Sequence, residues 1–232
     1  MPSPSPVREP ESAPAQPGAR MASRTRLRSH IVEVSFRLFL ARGYDTVTTQ
    51  EIADACGITQ RTLFRHFPRK DLIVAGGTID YATIFEDFLT RNIARFDAPV
   101  EAVLAAVAHL ADSYDADRGA ISTAYAIRQQ SEYLRTVERA NQLRIDGLAA
   151  LALEGPAAFD ARDRDPSLAA RLVAALILAT VRTSIRAWLK GELPGTLRRY
   201  TDLNMIRLRP LVAAGEVYAQ ALTEDFAGVG AD

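Results

Sequence analysis

Residues 31–72, IVEVSFRLFLARGYDTVTTQEIADACGITQRTLFRHFPRKDL, contain the pattern that decides the fold at the N-terminal end of the chain. Apolar side chains recur at helical spacing up to Gly43, a residue type that commonly follows the last turn of a helix. The pattern predicts a first helix from about Thr25 to Arg42, followed closely by further helical signals.

Two short helices are predicted next. Thr48-Thr49-Gln50-Glu51 has the form of a capping box, in which the Thr hydroxyl and the Glu carboxylate each accept a hydrogen bond from the other residue's backbone amide. This second helix ends at Cys56-Gly57, only about two turns later. Thr59 is placed to cap a third helix over Gln60 to His66, and Pro68 closes it.

Two short helices joined by a glycine-containing turn, with a basic second helix, form a unit that reads DNA. Gly57 and Ala53 are small where the two helices are expected to cross closely. Arginine suits the edge of guanine and glutamine that of adenine, so the polar face of the third helix fits base recognition. The predicted core positions are Ile52, Ala53, Cys56, Ile58, Leu63 and Phe67. The opposite face presents Gln60, Arg61, Thr62, Phe64 and Arg65.

Over the same stretch the sequence resembles the N-terminal DNA-binding domain of TetR-family transcriptional regulators. The resemblance implies base contacts for three residues of the third helix: Gln60, Arg61 and Arg65. It implies phosphate contacts for three others: Thr49, Thr62 and Lys70. The family usually has Tyr where this chain has Phe64, which keeps the packing but cannot donate the phenol hydrogen bond to a phosphate. Arg24, Arg26 and Arg28 could add contacts to the backbone or the minor groove.

The charge distribution favours the same end of the molecule. The 232 residues carry 28 Lys and Arg against 28 Asp and Glu, so the formal net charge is zero. Residues 1–70 nevertheless hold 11 basic and 6 acidic side chains, and the remainder is acidic. Such a split indicates an end that faces nucleic acid, although charge alone also allows an accident of solvated side chains.

Composition excludes several other classes of protein. The single cysteine, Cys56, rules out an intramolecular disulfide and is expected to fill a small apolar slot. The three histidines are widely spaced, which predicts no metal site, and His66 has no partner that would suggest catalysis. The longest apolar run, Leu172 to Ala179, has eight residues, which predicts no membrane span. The N-terminus has no apolar signal core, so we expect a cytoplasmic protein. We also expect no cofactor.

The sequence pattern predicts an all-α chain with about nine helices. Residues 1–22 are rich in proline and are expected to form a disordered tail. Residues 23–70 form the predicted helix-turn-helix domain, and residues 71–232 a larger helical domain for ligand binding and dimerisation. Within it we expect a long fourth helix from Arg69, a polar loop over Gly155 to Pro166, and a last helix to about Thr223.

The larger domain is predicted to bind a small apolar or acyl-type effector and to dimerise through its last two helices. The alternation of Ala with Val and Leu over residues 100–111 could leave room for a long acyl or aromatic ligand. Gly76-Gly77 could act as a hinge or serve close packing. The candidate pocket residues are Tyr81, Phe85, His109, Tyr114, Tyr125, Arg128, Asn141 and Trp188.

The predicted function is a homodimeric, ligand-responsive repressor that binds a palindromic double-stranded DNA operator. An enzyme with a helical core is the main alternative, but the sequence has no phosphate loop, nucleophile elbow or recognisable pair of carboxylates. An architectural DNA-binding dimer without an inducer is the other alternative. It would bind DNA with no response to a small molecule.

Overall fold

A computed structural model describes residues 17–76, 81–162 and 164–210. These residues are helical with no strand among them, which confirms the predicted all-α class. The α-helices are α1 (Pro17–Arg42), α2 (Thr49–Ala55), α3 (Gln60–His66), α4 (Asp71–Gly76), α5 (Tyr81–Asn92), α6 (Pro99–Ala116), α7 (Arg118–Gln129), α8 (Glu132–Leu153), α9 (Pro156–Ala161), α10 (Leu168–Leu189) and α11 (197–210). One 3₁₀ turn, η1 (Ile93–Arg95), follows α5.

Two helices differ from their predicted positions. Helix α1 begins at Pro17 rather than near Thr25, because proline is well suited to the first turn, where its missing N–H is not needed. The segment Gly155 to Pro166 is not a continuous loop. It contains α9, whose Phe159 is fully buried against the central core and holds the helix in place.

The other differences concern segments that fall partly outside the described residues. The predicted long fourth helix is seen as α4, α5 and η1, and residues 77–80 between the first two are not described. The proposed hinge at Gly76-Gly77 therefore lies partly outside the described residues and stays a prediction. The same holds for residues 1–16 of the expected tail and for the predicted last helix beyond residue 210.

The central core lies between α5, α6, α8, α10 and α11. Each of these helices is amphipathic and turns its apolar side inward, as in α10, where Val173, Ile177 and Leu178 are buried. Trp188, also fully buried, belongs to a neighbouring cluster and donates from Nε1 to the Gly195 carbonyl at 3.0 Å. This bond joins the end of α10 to the turn that precedes α11.

A separate core holds α1 to α4 and continues into the larger region. Besides residues of the first four helices, it contains Ala124 and Ile127 of α7 and Leu134 of α8, all buried. Ser131, the fully buried N-cap of α8, also donates to Asp45 Oδ1 at 2.9 Å. Packing therefore does not stop at residue 70, the domain boundary expected from sequence.

Helix α10 is the one described helix long and apolar enough, by length and composition, to cross a membrane. This differs from the expectation based on apolar runs, because the eight-residue run lies within a 22-residue helix that has only three charged residues, Arg171, Arg182 and Arg186. Its buried residues recur along one side, where the helix packs on α8 in the central core. A core helix passes the same test of composition, so the packing accounts for its apolar character.

Candidate DNA-binding surface and ligand cavity

The start of α2 is fixed by the predicted capping box. Thr48 Oγ1 accepts from the Glu51 amide at 3.2 Å, and Glu51 Oε2 accepts from the Thr48 amide at 2.8 Å. Arg42, at the end of α1, pairs with the same carboxylate at 2.7 Å. The backbone bond from Thr48, with help from Arg42, lowers the pKa of Glu51 to about 2, so the box is ionised at neutral pH.

The turn between α2 and α3 depends on Gly57. Its φ of +64° lies in the left-handed region that glycine adopts without strain. No atom lies within 4 Å of the position that a Cβ would occupy, so the expectation that Gly57 permits a close helix crossing is wrong. Thr59 then caps α3 as predicted, with Oγ1 accepting from the Thr62 amide at 3.2 Å.

Helix α3 has one buried and one exposed face. Leu63 is fully buried, and Phe67, which follows the helix, is nearly so; both belong to the N-terminal core. Arg61, Phe64 and Arg65 are exposed, and the Phe64 ring remains 41% accessible. A large aromatic ring and two guanidinium groups therefore stand on one rigid, capped surface. Of the other expected core residues, Ile52 and Ala53 are fully buried, whereas Cys56 and Ile58 are only partly buried.

The polar residues at the edge of this surface bond to one another. Gln60 Nε2 donates to Thr49 Oγ1 at 2.8 Å, which joins the first turns of α3 and α2. Thr62 lies beside Thr59, with their hydroxyl oxygens 3.0 Å apart. This bond uses one of the two Nε2–H donors of Gln60, so a contact to a base edge can use the second donor and Oε1.

Lys70 is held by the protein itself. Its ammonium group donates to the Tyr44 carbonyl at 2.9 Å and to the Val47 carbonyl at 3.0 Å, and lies 4.1 Å from the centroid of the Tyr44 ring. Partial burial lowers the pKa of Lys70. Two of its three donors are engaged, so a phosphate contact would use the third; that role stays a prediction.

Arg28 is the anchor that sequence reasoning missed. Its guanidinium lies 4.0 Å from the centroid of the Phe67 ring and donates to the His66 carbonyl at 2.8 Å, at the end of α3. Partial burial, followed by the nearby positive charge of Arg65, lowers the pKa of His66, so the imidazole is neutral at pH 7. This fits the structural role expected for His66.

A cavity of about 370 Å³ lies between α4, α5, α6, α7, α8 and α10. Its walls are largely apolar, with Leu110, Val181 and Ile185 among them. Tyr81 and Tyr114 also line it, and their rings stack with centroids 4.0 Å apart. Burial raises the pKa of both phenols, which therefore stay protonated. The Tyr81 hydroxyl is shielded from solvent and has no hydrogen-bond partner among the described residues.

Comparison with known proteins identifies the N-terminal part. Residues 31–75 match the model of the bacterial regulatory proteins of the tetR family. Over these residues the chain is similar to regulatory proteins of the tetR family. The HTH-type transcriptional regulator TcmR of Streptomyces glaucescens is 40% identical over 60 residues, which cover 26% of this chain and 26% of TcmR. The matched segment thus spans about a quarter of that relative.

Solved structures resemble this chain over most of its length. SmeT, in its complex with triclosan, has a TM-score of 0.55 and 22% identity, covering 82% of this chain and 91% of SmeT. FadR of Thermus thermophilus, in complex with lauroyl-CoA, has a TM-score of 0.50 and 18% identity, covering 78% of this chain and 92% of FadR. At these identities the likeness concerns the fold.

Five of the eight predicted pocket residues line the cavity. They are Tyr81, Tyr114, Tyr125, Arg128 and Asn141. The other three predicted residues do not line it. Phe85 is fully buried in the central core, His109 is exposed and stacks on Phe88, and Trp188 faces the turn before α11.

Most of the polar cavity lining was missed. Helix α8 contributes a whole face, of which only Asn141 was predicted, and α10 contributes two arginines that were not among the predicted pocket residues. The signal available in the sequence was the i, i+4 spacing of the arginines on each helix. The lining residues of this kind are Arg135, Arg139, Arg182 and Arg186.

Proposed function

We propose that the protein is a homodimeric transcriptional repressor of the TetR type that acts in the cytoplasm. It binds an operator through α3 and leaves it when a small molecule enters the cavity. The observation that carries the proposal is the exposed pair Arg61 and Arg65 on a helix whose opposite face is buried and whose start is capped. Arginine side chains held on a rigid helix suit the guanine edges of the major groove.

The cavity supports a response to ligand because its wall is shared with the DNA-binding core. Val74 of α4 and Leu134 of α8 line the cavity and also belong to the core of α1 to α4. A ligand that displaces either side chain shifts the packing beneath α3. The complexes of SmeT with triclosan and of FadR with lauroyl-CoA are examples of similar folds with a small molecule bound. In this chain the operator-bound and ligand-bound states would exclude one another.

Dimerisation is supported by an apolar stripe on α10 and α11. Leu172 and Leu203 are each about 40% exposed and Ile206 is 66% exposed. Ala175 and Ala179 are exposed along the same side of α10 and are small enough to let another helix approach. Two such stripes related by a two-fold axis would bury each other and would set the spacing of the two α3 helices.

The DNA-binding part is tested by selecting binding sites from random duplexes with the full chain. Arg61→Ala and Arg65→Ala should each weaken binding by about 1–3 kcal/mol and relax the preference at one base position. Lys70→Ala should weaken binding to all sequences alike and reduce the dependence on salt. Arg91→Ala, which removes an exposed arginine paired only with Asp87 on α5, is the matched control.

Three outcomes would contradict parts of this proposal. No selected sequence at all removes the DNA-binding function. Equal losses for every sequence in Arg61→Ala and Arg65→Ala remove the base contacts. The third outcome is that the selected duplexes bind equally well with and without a cell extract that supplies small molecules. It supports the architectural alternative, in which no inducer exists.

The dimer is tested by sedimentation at micromolar concentration. Leu172→Glu and Ile206→Glu should yield folded monomers because both side chains are exposed in the single chain. Ile177, by contrast, is fully buried in the central core, so a charge there should unfold the chain rather than split a dimer. A wild-type monomer would overturn the dimer.

A further inference from the structure

The polar lining of the cavity is strongly unbalanced in charge. Five arginines line it, on three different helices, against two acids, Asp71 and Glu138. The arginines are Arg128 of α7, Arg135 and Arg139 of α8, and Arg182 and Arg186 of α10. A solvated surface of this neutral chain would carry both signs in similar number, so the excess is local to the cavity.

Some of these charges are neutralised within the protein. Arg135 pairs with Glu132, and Arg182 lies 2.5 Å from Asp146. Asp71, the buried acid of the lining, is itself paired with Arg69 and cannot balance the arginines. Arg139 and Arg186 have no acid within 4.0 Å in the part of the chain that the structure describes. The positive excess therefore remains after internal pairing.

The second observation is the Tyr81 hydroxyl. It is buried, has no partner among the described residues, and belongs to a ring that lines the cavity. Arg128 is the basic group whose charge acts on both Tyr81 and its stacked neighbour Tyr114. A buried donor without an acceptor costs free energy, so a ligand acceptor gains from satisfying it. Because the hydroxyl has almost no accessible surface in this structure, the Tyr81 ring must turn toward the cavity for that bond to form.

We infer that the effector is a small organic acid, whose apolar body fills the cavity and whose carboxylate accepts from Tyr81 and pairs with Arg128. This rests on the proposed function for the cavity as an effector site and adds the chemical class of the effector. The excess positive charge of the arginines would repel a cationic ligand, and a neutral ligand would leave that charge uncompensated. The volume of about 370 Å³ is near the lower end for ligand sites, which favours a compact acid over a large nucleotide thioester.

The experiment measures binding to the full chain without DNA, by calorimetry, with probes of matched shape. The acids are 2-naphthoate and octanoate; the neutral analogues are 2-naphthamide and octanamide; the cation is 2-naphthylmethylamine. We expect at least one acid to bind about tenfold or more tightly than its amide, because a charge-assisted bond is roughly twice as strong as a neutral one. The amine should not bind.

The variants assign the binding groups. Arg128→Gln should weaken the acid by about tenfold and narrow its advantage over the amide, while Arg128→Lys should keep part of that advantage. Tyr81→Phe should weaken the acid by a smaller factor and leave the fold intact. Arg95→Gln, which removes an exposed arginine outside the cavity lining, should bind like the wild type. Melting followed by circular dichroism identifies any variant that fails to fold.

Several results would overturn the inference. They are no saturable binding of either acid at millimolar concentration, amides that bind as tightly as acids, and acid binding that is unchanged in folded Arg128→Gln and Tyr81→Phe. Binding of octanoyl-CoA without binding of octanoate would assign the arginines to a thioester's phosphates instead. Acid binding that leaves operator affinity unchanged supports the inference but contradicts the proposed repressor, so the two failures are distinguishable.

Discussion

In the DNA-binding region, α1 to α4, most polar side chains bond to partners a few residues away, as Thr48 does with Glu51. In the region from α5 to α11 the ion pairs often join distant parts of the chain. Arg198 pairs with Asp112, 86 residues away, and Arg209 with Glu101, 108 residues away. The first kind of bond shapes one helix, whereas the second fixes two helices against each other.

The difference teaches where each region is sensitive. A local cap can be lost while the helix is still held by its buried face, so the damage stays small. A contact between distant helices fixes their relative position, and no local bond replaces it. When it is lost, the two packed surfaces that it aligns move apart at the same time. We therefore expect the largest effects of single substitutions in the larger region and the smallest at the caps of α2.

The largest effect should come from Trp188→Ala. The side chain is fully buried, its Nε1 bonds to the Gly195 carbonyl, and the Arg118 guanidinium lies 4.6 Å from the centroid of its ring. We expect a loss of about 3–5 kcal/mol in the free energy of unfolding, measured by urea denaturation. Trp188→Phe should cost about 1–2 kcal/mol.

The phenylalanine variant also tests the placement of Trp188 outside the cavity. Folded Trp188→Phe should bind small acids like the wild type, since residue 188 does not line the cavity. An unfolding free energy close to the wild-type value in Trp188→Ala would break the comparison between the two regions.

A second, smaller effect is expected at Asp115 of α6. Its carboxylate accepts from the amides of Leu197 and Arg198 at 2.6 and 2.8 Å and so caps α11 from more than 80 residues away. Asp115→Ala should cost about 1–2 kcal/mol in the free energy of unfolding and weaken the proposed dimer, because α11 carries part of the exposed stripe. Asp115→Asn, which keeps one acceptor oxygen, should cost less. Unchanged sedimentation and stability in Asp115→Ala would contradict this.

A third effect concerns the bond between the two regions. Ser131 caps α8 and also donates to Asp45, so Ser131→Ala removes both bonds. Asp45→Ala removes only the bond between the two regions. Ser131→Ala should cost about 1 kcal/mol, and Asp45→Ala less than that. A double-mutant cycle measures the coupling of the pair by urea unfolding. A coupling energy of zero would show that the contact between the regions is only steric.

The smallest effect should be the pH dependence carried by Glu51. Its pKa is lowered to about 2 in the folded chain from an ordinary 4.5, so the carboxylate stabilises the fold fully above pH 4.5. That contribution is lost as the pH falls from 4.5 toward 2, where the carboxylate becomes protonated. Glu51→Gln should flatten the fall in urea stability over this range and change little at pH 7. An equally steep fall in the variant would exclude Glu51 as a source.

The range of the contacts also explains what the sequence could predict. Thr48, Glu51 and Thr59 were identified as caps because their partners lie within three residues along the chain. The lining of the cavity depends on which helices become neighbours, so Phe85 and His109 were placed on plausible faces that meet other surfaces. Helix α9 was missed because its anchor, Phe159, packs on residues far from it in sequence.

The same dependence on distant contacts explains why the packing of Arg28 and Lys70 was not predicted from the sequence. Both were expected to contact DNA, since a basic residue near a helix-turn-helix has no local signal that it lies against an aromatic ring of the protein. The rings that receive them, Phe67 and Tyr44, are 39 and 26 residues away. Periodicity identified buried positions such as Ile52 and Leu63, but it could not identify which other helix a given face would meet.

The buried residues that α7 and α8 add to the N-terminal core bear on how such a regulator can be rebuilt from parts. Ala124, Ile127 and Leu134 close the core of α1 to α4 from outside its own segment. A chimera that grafts only residues 1–70 onto another effector domain would expose that core unless the recipient supplies matching side chains. A transplant that also carries residues 71–76 and 118–135 brings its own cover, so the exchangeable part of this chain is discontinuous.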